Sequence, residues 1–153
     1  ESFDVIVCKF VIEHVPSPLQ VFKEFWRVLR PGGVLAILTP NRLSLFAFIS
    51  AAIPHGVKQT IKSWLFKGHE EDTFRTYYRA NTRWTLNRSM CEAGFTRERV
   101  EMLAGMWAFF IFNTPLALLV RSIERMQTQV PLLRDCSTHI MGLWRKPLAA
   151  GAA

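Results

Sequence analysis

The sequence predicts an α/β fold with parallel strands, and two observations support this prediction. The first 41 residues read as a strand, an amphipathic helix and a second strand, the length of a right-handed βαβ unit. Both strands are continuous apolar runs without alternation, which is typical of parallel strands that are covered on both faces. Half of the 153 residues are hydrophobic and a fifth are charged, as expected for one packed domain.

The βαβ unit is defined by local signals. Its first strand, at residues 3–10, is predicted to be buried on both faces. Ser17 is expected to cap the helix, with Gln20 completing a capping box. The apolar stripe of the helix consists of Leu19, Phe22, Phe25, Trp26 and Leu29. Residues 31–33 are expected to turn the chain into the second strand, at residues 34–39.

Polar residues follow both strands. Glu13 and His14 come directly after the first strand, and Asn41 comes after the second. Because the strands are parallel, their carboxyl ends lie at one edge of the sheet, where ligands bind in open α/β sheets. We therefore expect a ligand site at this edge.

The rest of the chain predicts further helices and two more strands. Residues 42–72 read as two short helices split at Pro54. A helix capped by Thr82 and closed by Gly94 precedes a strand at residues 95–103 with one solvent-exposed face. Thr114 and Pro115 are expected to cap another helix, and residues 137–147 to form a last strand. The predicted buried side of that helix consists of Leu116, Leu119, Val120 and Ile123.

Composition argues against several classes of function. The net charge of +7 comes from scattered Lys and Arg, with no nucleic-acid-binding motif, so no nucleic acid partner is expected. The three cysteines have neither zinc-ligand nor disulfide-framework spacing, which favours a reducing, cytoplasmic compartment. The longest apolar stretch, residues 104–120, is interrupted by Asn113, Thr114 and Pro115, so no membrane span is predicted.

The order of motifs resembles a known family. "FDVIVCKFVIEHV", "RVLRPGG" and "TPN", followed by "RANTRWTLNRSMCEAGF" and "LWRKP", are similar in order and spacing to class I S-adenosylmethionine-dependent methyltransferases. The similarity is greatest to the small-molecule group that includes the ubiquinone-biosynthesis O-methyltransferases. The resemblance implies the C-terminal half of a Rossmann-like methyltransferase sheet, with parallel strands, an antiparallel final strand and a helical insertion.

The resemblance also implies a domain organisation. Residues 1–153 are expected to form a single partial methyltransferase domain. Residues 1–41 are expected to form a strand-helix-strand core, and residues 42–80 a helical lid insertion. Residues 81–147 are expected to contain a late helix, hairpin strands and an intervening helix, followed by a tail at 148–153. The chain is expected to begin at the family's fourth strand, with about 90 to 100 residues absent before it. We expect the chain alone not to bind S-adenosylmethionine usefully, which calorimetry tests.

A strand order follows from the same resemblance. The four strands are expected in the order first, second, fourth, third, with the fourth antiparallel and inserted between its neighbours. The first strand is expected to present an open edge.

The resemblance assigns the cofactor S-adenosylmethionine to the end of the first strand. Cys8, Lys9 and Phe10 are the cofactor-binding candidates, largely through their backbone. Related enzymes carry a Glu-x-x-Glu-His pattern linked to a divalent metal, but Phe10 occupies the first Glu position here. One carboxylate and one His make a poor site for a hard cation, so no metal is predicted.

His14 is the candidate catalytic base, because imidazole titrates near neutral pH and suits proton removal from a hydroxyl. The alternative is that His14 only caps a turn or orients a loop. Glu13 is a candidate substrate-binding residue, and equally a structural anchor.

Four other residues are substrate-binding candidates. Tyr77, Tyr78 and Arg79 precede the late helix, where aromatic rings could stack on an acceptor and a guanidinium could bind an anion. Asn41 is the fourth, with a turn role as its alternative. For each of the four, ordinary loop anchoring is the competing interpretation.

The resulting hypothesis is S-adenosylmethionine-dependent methyl transfer to a small-molecule acceptor, by a truncated fragment of the enzyme. The alternative is a non-catalytic fragment, or a module that binds a membrane surface or a partner. Residues 43–66 are expected to cover the site and to contact an anionic membrane, which suits an apolar acceptor such as a quinone or lipid. Close packing of this cover on the sheet is the competing interpretation.

Overall fold

A computed structural model describes residues 1–45, 47–48 and 75–148, and its central element within those residues is a four-stranded sheet. The strands are β1 (Phe3–Lys9), β2 (Leu29–Pro40), β3 (Thr96–Leu103) and β4 (His139–Arg145). Their order is β1-β2-β4-β3, with β1 parallel to β2 and β4 antiparallel to both of its neighbours. The predicted order, and the insertion of the last strand, are confirmed.

Helices and turns connect the strands. Apart from the helical residues 45, 47 and 48, the α-helices in the described residues are α1 (Pro18–Val28), α2 (Arg83–Glu92), α3 (Thr114–Gln129) and the single turn α4 (Pro131–Arg134). Two 3-10 turns, Ile12–His14 and Met106–Phe110, follow β1 and β3 at the same edge of the sheet. β1, α1 and β2 make up the predicted βαβ unit.

The hydrophobic core lies on one face of the sheet. Phe22 of α1 and Leu86 and Met90 of α2 are fully buried against it. The sheet contributes the inward-facing side chains of Leu35, Ile37, Ile140 and Trp144 to the same cluster. Leu19, Phe22 and Phe25 of the predicted α1 stripe pack in this core, whereas Trp26 is exposed and Leu29 contributes from β2. The predicted interior position of β4 is confirmed.

The prediction that the first strand is buried on both faces is wrong for the described residues. Cys8 faces the core, whereas Val5 and Val7 point to the opposite side and Val7 is 73% exposed. The helices that form the core lie on a single face, and nothing in the described part of the chain covers the other. β1 is also the edge strand of the described sheet, as predicted.

Two predicted helix starts are corrected. Ser17 precedes α1, but its side chain makes no capping hydrogen bond, so the predicted capping box does not form. α3 is capped by Asn113, whose side-chain oxygen accepts from Leu116 N at 3.1 Å, and Thr114 is its first helical residue. By contrast, Thr82 caps α2 as predicted, in a reciprocal pair with Thr85.

The turn at residues 31–33 is also corrected. β2 begins at Leu29 and therefore includes the Pro-Gly-Gly sequence, where Gly32 has a φ of +80°. A register shift in the β1–β2 pairing accommodates this irregular start. Gly32 N donates to Lys146 O, which ties the start of β2 to the residue after β4.

The buried side predicted for α3 is wrong. Leu116, Leu119 and Ile123 are all exposed, and Leu119 is 57% exposed. The buried residues of α3 are Ala117 and Glu124. Glu124 is buried because backbone amides and a hydroxyl surround its carboxylate, an environment that no hydrophobic periodicity indicates.

Most of the predicted lid lies outside the described residues. The predicted pair of helices split at Pro54, the greater part of the cover at residues 43–66 and the tail after residue 148 all belong there. The described beginning of the cover is helical at residues 45, 47 and 48. In the described part of the chain, no helix combines the length and apolarity needed to cross a membrane.

Candidate functional site

The predicted site edge exists in the folded chain. β1, β2 and β3 run in the same direction, so Lys9, Pro40 and Leu103 end at one edge of the sheet. β4 runs the opposite way, and its first residue, His139, pairs with both Pro40 and Leu103. Four chain segments that are distant in sequence therefore meet here.

Glu13 is an anchor at this edge. Its carboxylate accepts a hydrogen bond from Thr39 Oγ1 at 3.2 Å, and its side chain is almost fully buried. Thr39 in turn accepts from Asn81 Nδ2 at 2.7 Å, and Asn81 also donates to Pro40 O. These bonds join the turn after β1, the end of β2 and the segment before α2.

The backbone of Glu13 holds a second segment. Its carbonyl oxygen accepts from Tyr77 N at 2.7 Å and from Tyr78 N at 3.2 Å. The two predicted tyrosines are therefore brought beside the Glu13–His14 turn and are half-buried. Tyr78 has a positive φ of 49°, a strained conformation for an aromatic residue, and the bonds to Glu13 help to hold it.

His14 lies in the same turn and is partly exposed. Its Nδ1 is 3.2 Å from Arg75 O, and its Nε2 is 4.0 Å from the Glu13 carboxylate. The carbonyl near one ring nitrogen and the carboxylate near the other orient the imidazole. The arrangement is compatible with both the base role and the loop-orienting role.

Arg79 and Asn41 occupy contrasting environments. Arg79 is exposed, whereas Asn41 is buried with all of its side-chain hydrogen-bonding groups engaged. Asn41 Nδ2 donates to Asp135 O and Ser137 O, both at 2.8 Å, and its Oδ1 accepts from Leu43 N. These contacts stabilise the connection after β2, and a substrate contact by Asn41 stays a prediction.

The cofactor-binding candidates divide into side-chain and backbone groups. Lys9 and Phe10 are exposed at the end of β1, and Phe10 has a positive φ of 53°. The Cys8 side chain belongs to the hydrophobic core, where burial, and then the nearby Glu13 carboxylate, raise the pKa of its thiol to about 11. Only the backbone of Cys8 is available to a ligand, which fits a cofactor that lies along the strand end through backbone contacts.

His139 is a residue of this edge that the sequence analysis missed. Its half-buried ring packs against Phe10, with ring centroids 5.5 Å apart and an interplanar angle of 55°. Burial lowers the pKa of His139, and the carboxylates of Glu124 and Glu13 partly oppose that effect. One sequence signal could have identified it. His139 is a titratable residue at the start of a strand expected to be antiparallel, and the start of such a strand lies at the same sheet edge as the ends of its neighbours.

Neither a metal cluster nor a cleft beside β3 defines this edge in the described residues. They contain no group of three or more His, Cys, Asp or Glu side chains that could hold a metal ion. An open cleft of about 530 Å³ lies beside β3 and includes Arg83, Glu101 and Arg134, but it contains none of the predicted site residues. The candidate site is therefore the strand edge rather than this cleft.

Comparison with known proteins places the beginning of the chain in a family model. Residues 1–37 match the model described as a methyltransferase domain. A ubiquinone biosynthesis O-methyltransferase from Haemophilus ducreyi is 38% identical over 74 residues, covering 48% of this chain and 30% of the relative. The namesake from Psychrobacter arcticus is 31% identical over 102 residues, covering 65% and 35%. The chain matches about a third of the length of these relatives.

Solved structures share the fold. A crystal structure of an S-adenosylmethionine-dependent methyltransferase from Mesorhizobium loti has a TM-score of 0.55 at 19% identity. The match covers 95% of this chain and 62% of that one. A phosphoethanolamine N-methyltransferase from Haemonchus contortus has a TM-score of 0.52 at 15% identity, covering 95% and 33%.

Proposed function

We propose that the protein transfers a methyl group from S-adenosylmethionine to a hydroxyl oxygen of a small molecule. The match of residues 1–37 to the methyltransferase-domain model and the similarity to ubiquinone biosynthesis O-methyltransferases support this proposal, and the fold is shared with a solved S-adenosylmethionine-dependent methyltransferase. The observation that carries this proposal is the Glu13–His14 turn, located at the carboxyl edge of a methyltransferase-type sheet. The oxygen acceptor is supported by the names of the O-methyltransferases from Haemophilus ducreyi and Psychrobacter arcticus.

The chemistry asks two things of the protein. The sulfonium donor carries an activated methyl group, so the protein must align the acceptor oxygen with it and remove the hydroxyl proton. In this proposal His14 removes the proton. The Glu13 carboxylate, 4.0 Å from His14 Nε2, stabilises the imidazolium that forms.

The neighbouring residues bind the two substrates in this proposal. Lys9 and Phe10, with the backbone of Cys8, contact the cofactor at the end of β1. Tyr77 and Tyr78, held by the Glu13 carbonyl, form a wall for the acceptor, and Arg79 meets an anionic group on it. Asn41 and the Glu13 carboxylate act on the acceptor indirectly, by fixing the loops that surround it.

Methyl transfer is the test of the proposal. The intact gene product is incubated with methyl-labelled S-adenosylmethionine and a panel of phenols and catechols, and labelled ether is measured by mass spectrometry. We expect product from at least one hydroxyl acceptor and a loss of about 100-fold or more in kcat for His14→Ala. Product formed only from amine or thiol acceptors would contradict the hydroxyl assignment.

An apolar acceptor and peripheral membrane contact extend the proposal. Leu45 and Phe48, at the described beginning of the cover, are exposed next to the site edge. α3 adds an exposed stripe of Leu119, Ile123 and Met126, while Arg121 and Arg125 lie on other sides of the helix. Apolar and cationic faces on one helix suit an anionic lipid interface. The same stripe favours the alternative function, a membrane-surface module without catalysis.

Co-sedimentation with anionic liposomes at low salt tests the membrane contact. The double variant Leu119→Ser/Ile123→Ser is expected to reduce the bound fraction several-fold. Leu118→Ser is the matched control, because Leu118 is as exposed as Leu119 but projects from a different side of α3. Wild-type protein that stays in the supernatant would remove the membrane contact from the proposal, and membrane binding without methyl transfer would favour the non-catalytic module.

A further inference from the structure

His139 occupies a position from which it can reach a ligand at the site edge. It is the first residue of β4 and pairs with Pro40 on one side and Leu103 on the other. Its ring therefore stands at the middle of the sheet edge, between the end of the βαβ unit and the end of β3. His139 is half-buried, so part of the residue is accessible to solvent.

Two neighbours define the slot in which the ring lies. The Phe10 ring packs against it at a centroid separation of 5.5 Å. Gly105 lies on another side, where an added Cβ would be 3.7 Å from His139 Nδ1. Within the described residues, neither ring nitrogen has a hydrogen-bond partner. A histidine whose nitrogens are unengaged differs from His14, whose Nδ1 is close to a backbone carbonyl.

Burial favours the neutral form of the His139 ring. Burial lowers the pKa of His139, while Glu124 from α3 and Glu13 from the turn after β1 act in the opposite direction. The ammonium group of Lys9 on β1 lies 5.5 Å from the centre of the Phe10 ring. A neutral imidazole offers one N–H donor and one acceptor nitrogen to a ligand.

We propose that His139 is an acceptor-binding residue, which hydrogen-bonds an oxygen of the methyl acceptor through its neutral imidazole while Phe10 supports the ring. This inference rests on the proposed methyl transfer to a hydroxyl compound. It assigns His139 to binding and orientation, and leaves proton removal to His14. No covalent step passes through His139.

Two variants test the contribution of the His139 ring and the contribution of its nitrogens separately. His139→Phe keeps an aromatic ring against Phe10 but removes both nitrogens, whereas His139→Gln keeps a hydrogen-bonding group and removes the ring. With catechol as the probe acceptor, we expect His139→Phe to raise KM about tenfold or more and to change kcat by less than about threefold. His139→Gln is expected to raise KM less, and both variants should bind S-adenosylhomocysteine as the wild type does.

The pH dependence supplies a second readout. Since burial lowers the pKa of His139, the wild-type KM for catechol is expected to rise at acid pH, below the ordinary histidine pKa, where protonation removes the acceptor nitrogen of His139. The KM of His139→Phe should lack this rise. Arg88→Gln, an exposed change on α2, is the control that should retain the wild-type profile.

A nuclear magnetic resonance titration tests the inference without turnover. The intact protein, labelled at histidine, is titrated with catechol, and the His139 signals, assigned by their loss in His139→Phe, are expected to shift. Wild-type turnover with an unchanged KM in His139→Phe, or catechol binding that leaves the His139 signals unmoved, would overturn the assignment. Absence of methyl transfer in the wild type would overturn the proposed function alone, since the titration still reports on His139.

Discussion

Asn81 donates a hydrogen bond to Thr39 over 2.7 Å, although the two residues are 42 positions apart in the chain. The Thr39 hydroxyl in turn donates a hydrogen bond to the Glu13 carboxylate, so the three side chains form one buried chain of hydrogen bonds. This chain fixes the distance between the turn that carries His14 and the segment that carries Tyr77 and Tyr78. The candidate site is therefore positioned by residues that do not themselves face a ligand.

The first prediction concerns that network. Asn81→Ala is expected to lower the free energy of unfolding by about 1–3 kcal/mol, because Thr39 Oγ1 and Pro40 O each lose a buried donor. Asn87→Ala on α2 is the matched control. Asn87 Oδ1 is buried with no partner in the described structure, so its removal should be neutral or stabilising. Urea unfolding of both variants measures the two changes. Equal losses of unfolding free energy would contradict a stabilising role of the Asn81 hydrogen bonds.

The second prediction concerns Glu124. Its carboxylate accepts from Gly105 N at 3.0 Å, Met106 N at 2.8 Å and Thr138 Oγ1 at 2.9 Å. Glu124→Gln replaces one carboxylate oxygen by an NH2 group, which cannot accept a hydrogen bond from the surrounding donors. We therefore expect a loss of at least about 2 kcal/mol in unfolding free energy. Glu24→Gln breaks only an exposed ion pair with Arg27 and should cost about 0–1 kcal/mol. Chemical denaturation compares the two, and a small effect of Glu124→Gln would contradict the account.

The third prediction concerns the interior of β4. A Cβ added at Gly142 would overlap the fully buried ring of Trp144, which cannot move aside without disturbing the core. Gly142→Ala is therefore expected to destabilise the protein by about 1–3 kcal/mol, with a blue- or red-shifted tryptophan emission. Gly105→Ala is the control, because its new Cβ would meet its nearest neighbour, His139, at an ordinary 3.7 Å. Equal melting temperatures for the two variants would refute the overlap.

The fourth prediction is a pH dependence of stability. Burial in the core raises the pKa of Cys8 from 9.0 to about 11. Between these values the unfolded thiol loses its proton while the folded thiol keeps it, so the unfolded state binds fewer protons and stability falls as pH rises. The slope is about 1.4 kcal/mol per pH unit at most, and it ends above about pH 11.

Denaturant unfolding at pH 8 to 10.5 measures this slope. Cys8→Ala is expected to flatten the alkaline decline relative to the wild type. Cys91→Ala, at an exposed cysteine, should leave it unchanged. An identical decline in all three proteins would show that other groups cause it.

The local elements of the βαβ unit were predictable because they depend on short-range signals. The apolar run of β1, the stripe of α1 and the Thr82 cap of α2 are each encoded within a few residues, and all three form. The predicted Ser17 capping box fails although the residue types suit it. A cap requires a particular backbone geometry, and the chain entering α1 from the Ile12–His14 turn sets that geometry.

The residues that end the two parallel strands could be read from the apolar runs alone, which placed Glu13, His14 and Asn41 at one edge. The family resemblance added the strand order, which the fold bears out. Only the tertiary structure decided that His139 and Asn81 belong to the same edge, because their positions depend on how distant strands and loops pair. It also decided which sides are covered: Val7 and Leu119 are exposed and Glu124 is buried. Apolar periodicity identifies a helix or strand face that can be buried. Actual burial requires another element to pack against that face, and hydrogen-bond donors can enclose a carboxylate such as that of Glu124.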